Sequence, residues 1–144
     1  MKNILFICCI AFFTSCAAQK TTPKQDKAAI LEVMKYQEVA WSQNDLKGFM
    51  QGYWKSDSLK FYGSRGLTKG WQQTLDNYIK GYPTKEHSGT LNFTIDDISQ
   101  IETNSYWVMG RYFLKRKIGD ANGNFMIVFK KINGEWKIVA DMSS

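Results

Sequence analysis

The sequence predicts one α+β domain in which helices pack against a strongly curved antiparallel sheet. Three observations lead there. The first half of the chain repeats apolar residues at three- and four-residue spacing, the period of helices with one buried face. From Leu91 onward apolar residues alternate with polar ones, the period of strands. Asn133-Gly134 lies between two alternating runs and signals a tight hairpin. Helices first and strands afterwards give segregated layers, and a sheet that covers several helices has to curve.

The bulk numbers agree with a single domain. A chain of 144 residues with 44% hydrophobic content suits one core, and 15% aromatic content supplies both core volume and pocket walls. The formal charge of +6 is scattered along the chain. Its densest cluster, Lys115-Arg116-Lys117, is followed by Gly119-Asp120 and reads as a solvated strand end. With no nucleic-acid motif present, nucleic acid is not an expected partner.

The elements follow in order. Residues 1–15 carry Lys2, the apolar run Ile4–Phe13 and then small residues, the plan of a secretory signal. Ten apolar residues are too few to span a bilayer as a helix. The boundary Phe13-Thr14-Ser15-Cys16 resembles a bacterial lipobox, with Phe13 where leucine is usual. That resemblance implies export and a lipid on Cys16; a plain cleavage site is the alternative. Residues 16–25 would be the lipidated cysteine and a polar tether with Pro23, leaving 26–144 as the domain. Membrane association would rest on the lipid alone.

A first helix runs from Asp26, with Ile30, Val33, Met34, Gln37 and Trp41 on one face. Asp45 caps a second, whose apolar side is Leu46, Phe49, Met50 and Tyr53. Residues 54–58 form a loop, Leu59–Tyr62 a short strand, and Ser64–Leu67 a turn. Thr68 caps a third helix striped with Trp71, Leu75, Tyr78, Ile79 and Tyr82, stopped by Gly81 and Pro83. Four strands close the chain. In the first, Asp96-Asp97 marks a bulge where the apolar phase shifts. The turn of the last hairpin can hold two or three residues, and the choice decides which face receives Asp141. Both faces of that hairpin are apolar, so helices would cover one and a second subunit the other.

This order resembles the NTF2-like superfamily, the cone-shaped α+β fold of ketosteroid isomerases and SnoaL-type cyclases, and within it the DUF4440 family. The residues that carry the likeness are AWSQNDLKGFMQGYW (40–54), LTKGWQQTLDNYIKGYP (67–83), VMGRYFL (108–114) and GNFMIVFKKINGEWKIVADMSS (123–144). The resemblance implies a cone whose mouth is lined by helix residues and one face of the sheet. It also implies an acid-binding role for Arg111, by analogy with the association-domain branch. Relatives often carry histidines near position 141, where this chain has Ala140 and Met142.

The candidate site residues come from chemistry. Arg111 sits mid-strand among apolar neighbours and needs an anionic partner or ligand, unless its stem covers apolar surface and its head reaches water. Asp141 on the inner face could be a desolvated general base, or it could be locked to Arg111 as a structural ion pair. Asp57 lies roughly where isomerase-type relatives place their base, within a polar loop. Tyr53, Trp54, Tyr62, Trp71 and Tyr78 are candidate ligand contacts, with a tyrosine as donor to a carbonyl oxygen. No cofactor motif is present, and one histidine, His87, leaves no Cys/His metal cluster in the domain. The expected function is binding of a small organic molecule, acidic or neutral, in an aromatic-lined pocket. The alternatives are an isomerase- or cyclase-type enzyme with a carboxylate base, and a non-catalytic dimeric interaction module.

Overall fold

The computed structural model describes residues 21–144, so the signal segment and Cys16 lie outside the described residues. Helix α1 spans Pro23–Ser42, three residues ahead of the expected start. Thr22 and Gln25 form a capping box and Pro23 occupies the first turn, so part of the expected tether is the helix's own cap. A short α2 (Leu46–Phe49), capped by Asp45, runs into a 3-10 turn at Met50–Gly52. Strand β1 (Lys60–Gly63) is the short strand expected at Leu59–Tyr62, and it forms a hairpin with β2 (Gly66–Lys69), where a turn and a helix cap were expected. Gly70, at a φ of 88°, caps α3 (Trp71–Gly81) in place of Thr68. After α4 (Lys85–Ser88) come the long strands β3 (Thr90–Glu102), β4 (Ser105–Lys115), β5 (Ala121–Ile132) and β6 (Glu135–Ser143).

The six strands make one sheet in the order β2-β1-β6-β5-β4-β3. The β3 to β6 meander is antiparallel as expected, but β1 runs parallel to β6, so the whole sheet is mixed. The bulge foreseen at Asp96-Asp97 lies between Ile95 and Asp97, opposite Gly110. A side chain at Gly110 would collide with the Thr94 carbonyl and the Phe125 ring. Bulge and glycine together bend β3 and β4 around the helices. The core inside the curve joins Ile30, Met34 and Trp41 of α1 to Leu91, Val108, Phe129 and Ile138 of the sheet.

At the end of the domain where α1 begins, buried Asp26 meets the ammonium of Lys131 at 3.1 Å and the hydroxyl of Thr21 at 2.6 Å. Burial pushes this carboxyl up, but the Thr21 and Lys131 hydrogen bonds and the lysine's charge outweigh it and hold it below the usual value. This acid is structural: it ties the start of α1 to β5.

Candidate functional site

The turn at Asn133-Gly134 decides where Asp141 goes. Both residues have positive φ, and Ile132 pairs with Glu135, so the turn has two residues. Trp136 and Ile138 therefore join Phe129 on the inner side, rather than the outer side that a three-residue turn would give. Continued unbroken, this register would set Asp141 opposite Met126 on the outer face. A bulge at Val139 intervenes. Ile138 pairs with Phe129, Ala140 with Val128, and Asp141 with Ile127. The extra residue reverses the alternation and turns Asp141 inward.

The same bulge docks the segment after α2. Trp54 N–H donates to the Ile138 carbonyl, and Tyr53 bridges to Ile138 in parallel register. That contact carries the Tyr53 hydroxyl to the Asp141 carboxylate, to which it donates at 2.6 Å. The Ser143 hydroxyl donates to the other carboxylate oxygen. No cation reaches Asp141 among the described residues. Burial pushes its carboxyl above the ordinary 3.8, and the hydrogen bonds from Ser143 and Tyr53 only partly offset that. Tyr53 and Tyr78 line the same cavity, and both phenols are held well above 10.0 by burial and then by the Asp141 charge. The result is a buried carboxyl whose hydrogen-bond partners are hydroxyls, beside the Tyr78 phenol in the same cavity and with no positive charge against it among the described residues.

These groups lie in the wall of an open cavity of about 370 Å³. Its apolar lining includes Phe61, Phe93, Phe125 and Ile127, and Trp41, Phe49, Tyr78 and Tyr82 form edge-to-face ring contacts in the same wall. Arg65 and Arg116 stand at its border.

The structure brings together three of the expected site residues, Asp141, Tyr53 and Tyr78, and separates the rest. Arg111 points to the outer face, where it holds Asp96 at 2.9 Å with both side chains more than half exposed. It neither enters the cavity nor pairs with Asp141. Its neighbours Val108, Gly110 and Leu114 take the inner positions of β4 instead. Tyr62 also faces outward, because its neighbour Phe61 takes the inner position opposite Asp141. Asp57 is exposed in its loop and away from the cavity. Trp71 is scaffold: its buried indole N–H donates to the Met50 carbonyl at 2.8 Å. Trp54 and Trp71 border a shallow groove beside Lys55 and Glu135, away from Asp141. The sequence reading missed Arg65 and Arg116. Arg65 lies in the turn of the unforeseen β1–β2 hairpin, and Arg116 was absorbed into a basic run.

No family model matches the sequence, and neither does any curated protein. Solved structures do. An NTF-2 like protein of unknown function from Shewanella oneidensis MR-1 is 38% identical, with 83% of this chain and 98% of that chain aligned at a TM-score of 0.79. A nuclear transport factor 2 (NTF2-like) superfamily protein from Salmonella enterica serovar Typhimurium LT2 is 20% identical over 85% of this chain and 92% of that one, TM-score 0.69. A ketosteroid isomerase-like protein from Erwinia carotovora atroseptica shares the fold at 15% identity, covering 81% and 93% of the two chains, TM-score 0.63. On the strength of the Shewanella relative and of a curved sheet wrapped on the N-terminal helices, the chain belongs to the NTF2-like family.

Proposed function

We propose that this protein binds a small, mostly apolar organic molecule in the cone, with a hydroxyl or carbonyl of the ligand meeting Asp141 and Tyr78. One observation carries the reading: a buried carboxyl with only hydroxyl partners lines an open aromatic cavity. The other buried aspartate, Asp26, has the cation Lys131 against it, whereas Asp141 has none among the described residues. An acid left to hydroxyls is free to exchange hydrogen bonds with a ligand. The test is thermal shift across a collection of small aromatic hydroxy and keto compounds. A ligand at 100 times its Kd stabilises by about 2.7 kcal/mol. The expected protection disappears in Thr68→Trp, which places an indole in the cavity from an edge strand. Protection that survives Thr68→Trp, or no protection by any compound, contradicts the reading.

An enzyme of isomerase or cyclase type is the second reading, favoured by the raised Asp141 carboxyl. Such an acid suits proton transfer beside a carbonyl, with Tyr78 as donor to the oxygen. Turnover that falls by orders of magnitude in Asp141→Asn, with ligand protection retained, selects it.

The finer family assignment to DUF4440 rests on the sequence likeness of 40–54, 67–83, 108–114 and 123–144. Export and a lipid on Cys16 rest on the pattern of residues 1–16. Mass spectrometry of the protein isolated from membranes tests them, with cleavage before Cys16 and a diacylglyceryl adduct expected. The outer sheet face supports a homodimer: Met109, Met126, Met142, Tyr62 and Leu67 stand side by side across five strands.

A further inference from the structure

The charged side chains lining the cavity, among the described residues, are Asp141 inside and Arg65 and Arg116 at the opening. Asp141 is buried, Arg65 exposed and Arg116 half-exposed, so the polarity runs from an acid within to guanidiniums at the solvent. Neither arginine forms an ion pair among the described residues, in contrast to Arg111 with Asp96. Arg116 donates its Nε–H to the Gly119 carbonyl at 2.7 Å, which orients the side chain and leaves its terminal N–H groups for another acceptor. Arg65 extends from the turn between β1 and β2 at the other end of the sheet order from β4. Two cations at the border of a low-dielectric cleft concentrate anions at its entrance. A second carboxylate carried to the bottom would meet Asp141 and be repelled or force a proton uptake.

Resting on the small-molecule reading above, we propose that the cavity takes an amphipathic monoanion, head outward. Its acid group lies at the mouth, in the combined field of Arg65 and Arg116. Its apolar body lies along Phe61, Phe93 and Phe125. An uncharged hydroxyl at its far end reaches Asp141. The ligand class is therefore a hydroxyaryl or hydroxyalkyl carboxylic acid, and dicarboxylates are excluded.

A matched pair of probes tests this: 4-(4-hydroxyphenyl)butanoate and its amide, which share shape and phenol but differ in charge. Both are titrated by calorimetry into the full chain held in lipid nanodiscs of neutral phospholipid. The acid is expected to bind at least tenfold more tightly than the amide, with the ratio shrinking as salt rises. The double variant Arg65→Gln, Arg116→Gln is expected to remove that preference by weakening the acid at least tenfold more than the amide. Equal binding of acid and amide to the unmodified chain overturns the head-out anion and leaves the small-molecule reading standing. A large gain in acid affinity in Asp141→Asn overturns the orientation, because the acid would then lie at the bottom. If neither probe binds, this proposal is overturned; the reading beneath it falls on its own test, the wider collection and Thr68→Trp.

Discussion

Two buried aspartates in this domain have opposite fates, and the difference lies in their partners. Asp26 has the ammonium of Lys131 and is held below the usual carboxylate value. Its stabilisation is present above the unfolded value and is lost as pH falls through the depressed folded value. Lys131→Met is expected to cost about 1–3 kcal/mol at pH 7. In thermal melts the deficit should close as pH falls below 3.8. Asp141 has hydroxyls alone and is pushed up. A raised acid has the opposite sign: its burial cost is fully felt above the folded value and disappears as pH falls past it towards 3.8. Asp141→Asn is therefore expected to melt a few degrees higher than the parent at pH 7, with the advantage vanishing near pH 4. Asparagine keeps the contacts, since the Tyr53 hydroxyl can donate to its carbonyl and the Ser143 hydroxyl can accept from its amide. Tyr53→Phe removes a bond that lowers the Asp141 value, so the carboxyl should titrate higher still, at a stability cost of about 1–3 kcal/mol.

At the scale of elements, two bulges shape the site. The one at Asp96 bends the sheet and is legible in the sequence, because adjacent acids break the apolar phase. The one at Val139 aims Asp141 inward and is not legible, because Ile138-Val139-Ala140 continues a plain strand pattern. The sequence left the turn open at two or three residues; a three-residue turn would set Asp141 opposite Ile127, and the two-residue turn plus the bulge gives the same pairing. The misplacement of Arg111 has a related cause. Strand β4 is apolar on both parities, with Val108 and Leu114 on one and Trp107, Met109 and Phe113 on the other. Periodicity then finds the strand but not its inner side. Strand β2 escaped because four residues beginning in Gly66 carry too short a pattern. Gly110 is the element-scale test. Gly110→Ala forces a methyl against the Thr94 carbonyl and the Phe125 ring. A loss of about 1–3 kcal/mol is expected in denaturant melts, and an unchanged midpoint would show that the sheet is not bent tightly there.

For the whole molecule, the long signals were the readable ones. The amphipathic stripes of α1 and α3 and the meander from β3 to β6 set the cone, because each is long enough for its period to be unambiguous. The parallel pairing of β1 with β6 depends on tertiary closure and leaves no local trace. That closure makes the outer face continuous from β4 to β2, with Met109, Met126, Met142, Tyr62 and Leu67 in line. If this ladder is the dimer surface, Met126→Glu with Met142→Glu yields a folded monomer in sedimentation equilibrium, while the parent sediments as a dimer at micromolar concentration. A parent that is monomeric there contradicts the dimer.

The central claim is that Asp141 is a buried acid left without a cation so that it can meet a ligand. The pKa of Asp141, followed by carbon-detected NMR titration and assigned with Asp141→Asn, tests it most directly. The account predicts a value above the ordinary 3.8, shifting further when a cavity ligand is added. A value at or below 3.8, unmoved by ligand, would make Asp141 another structural carboxylate like Asp26 and contradict the account.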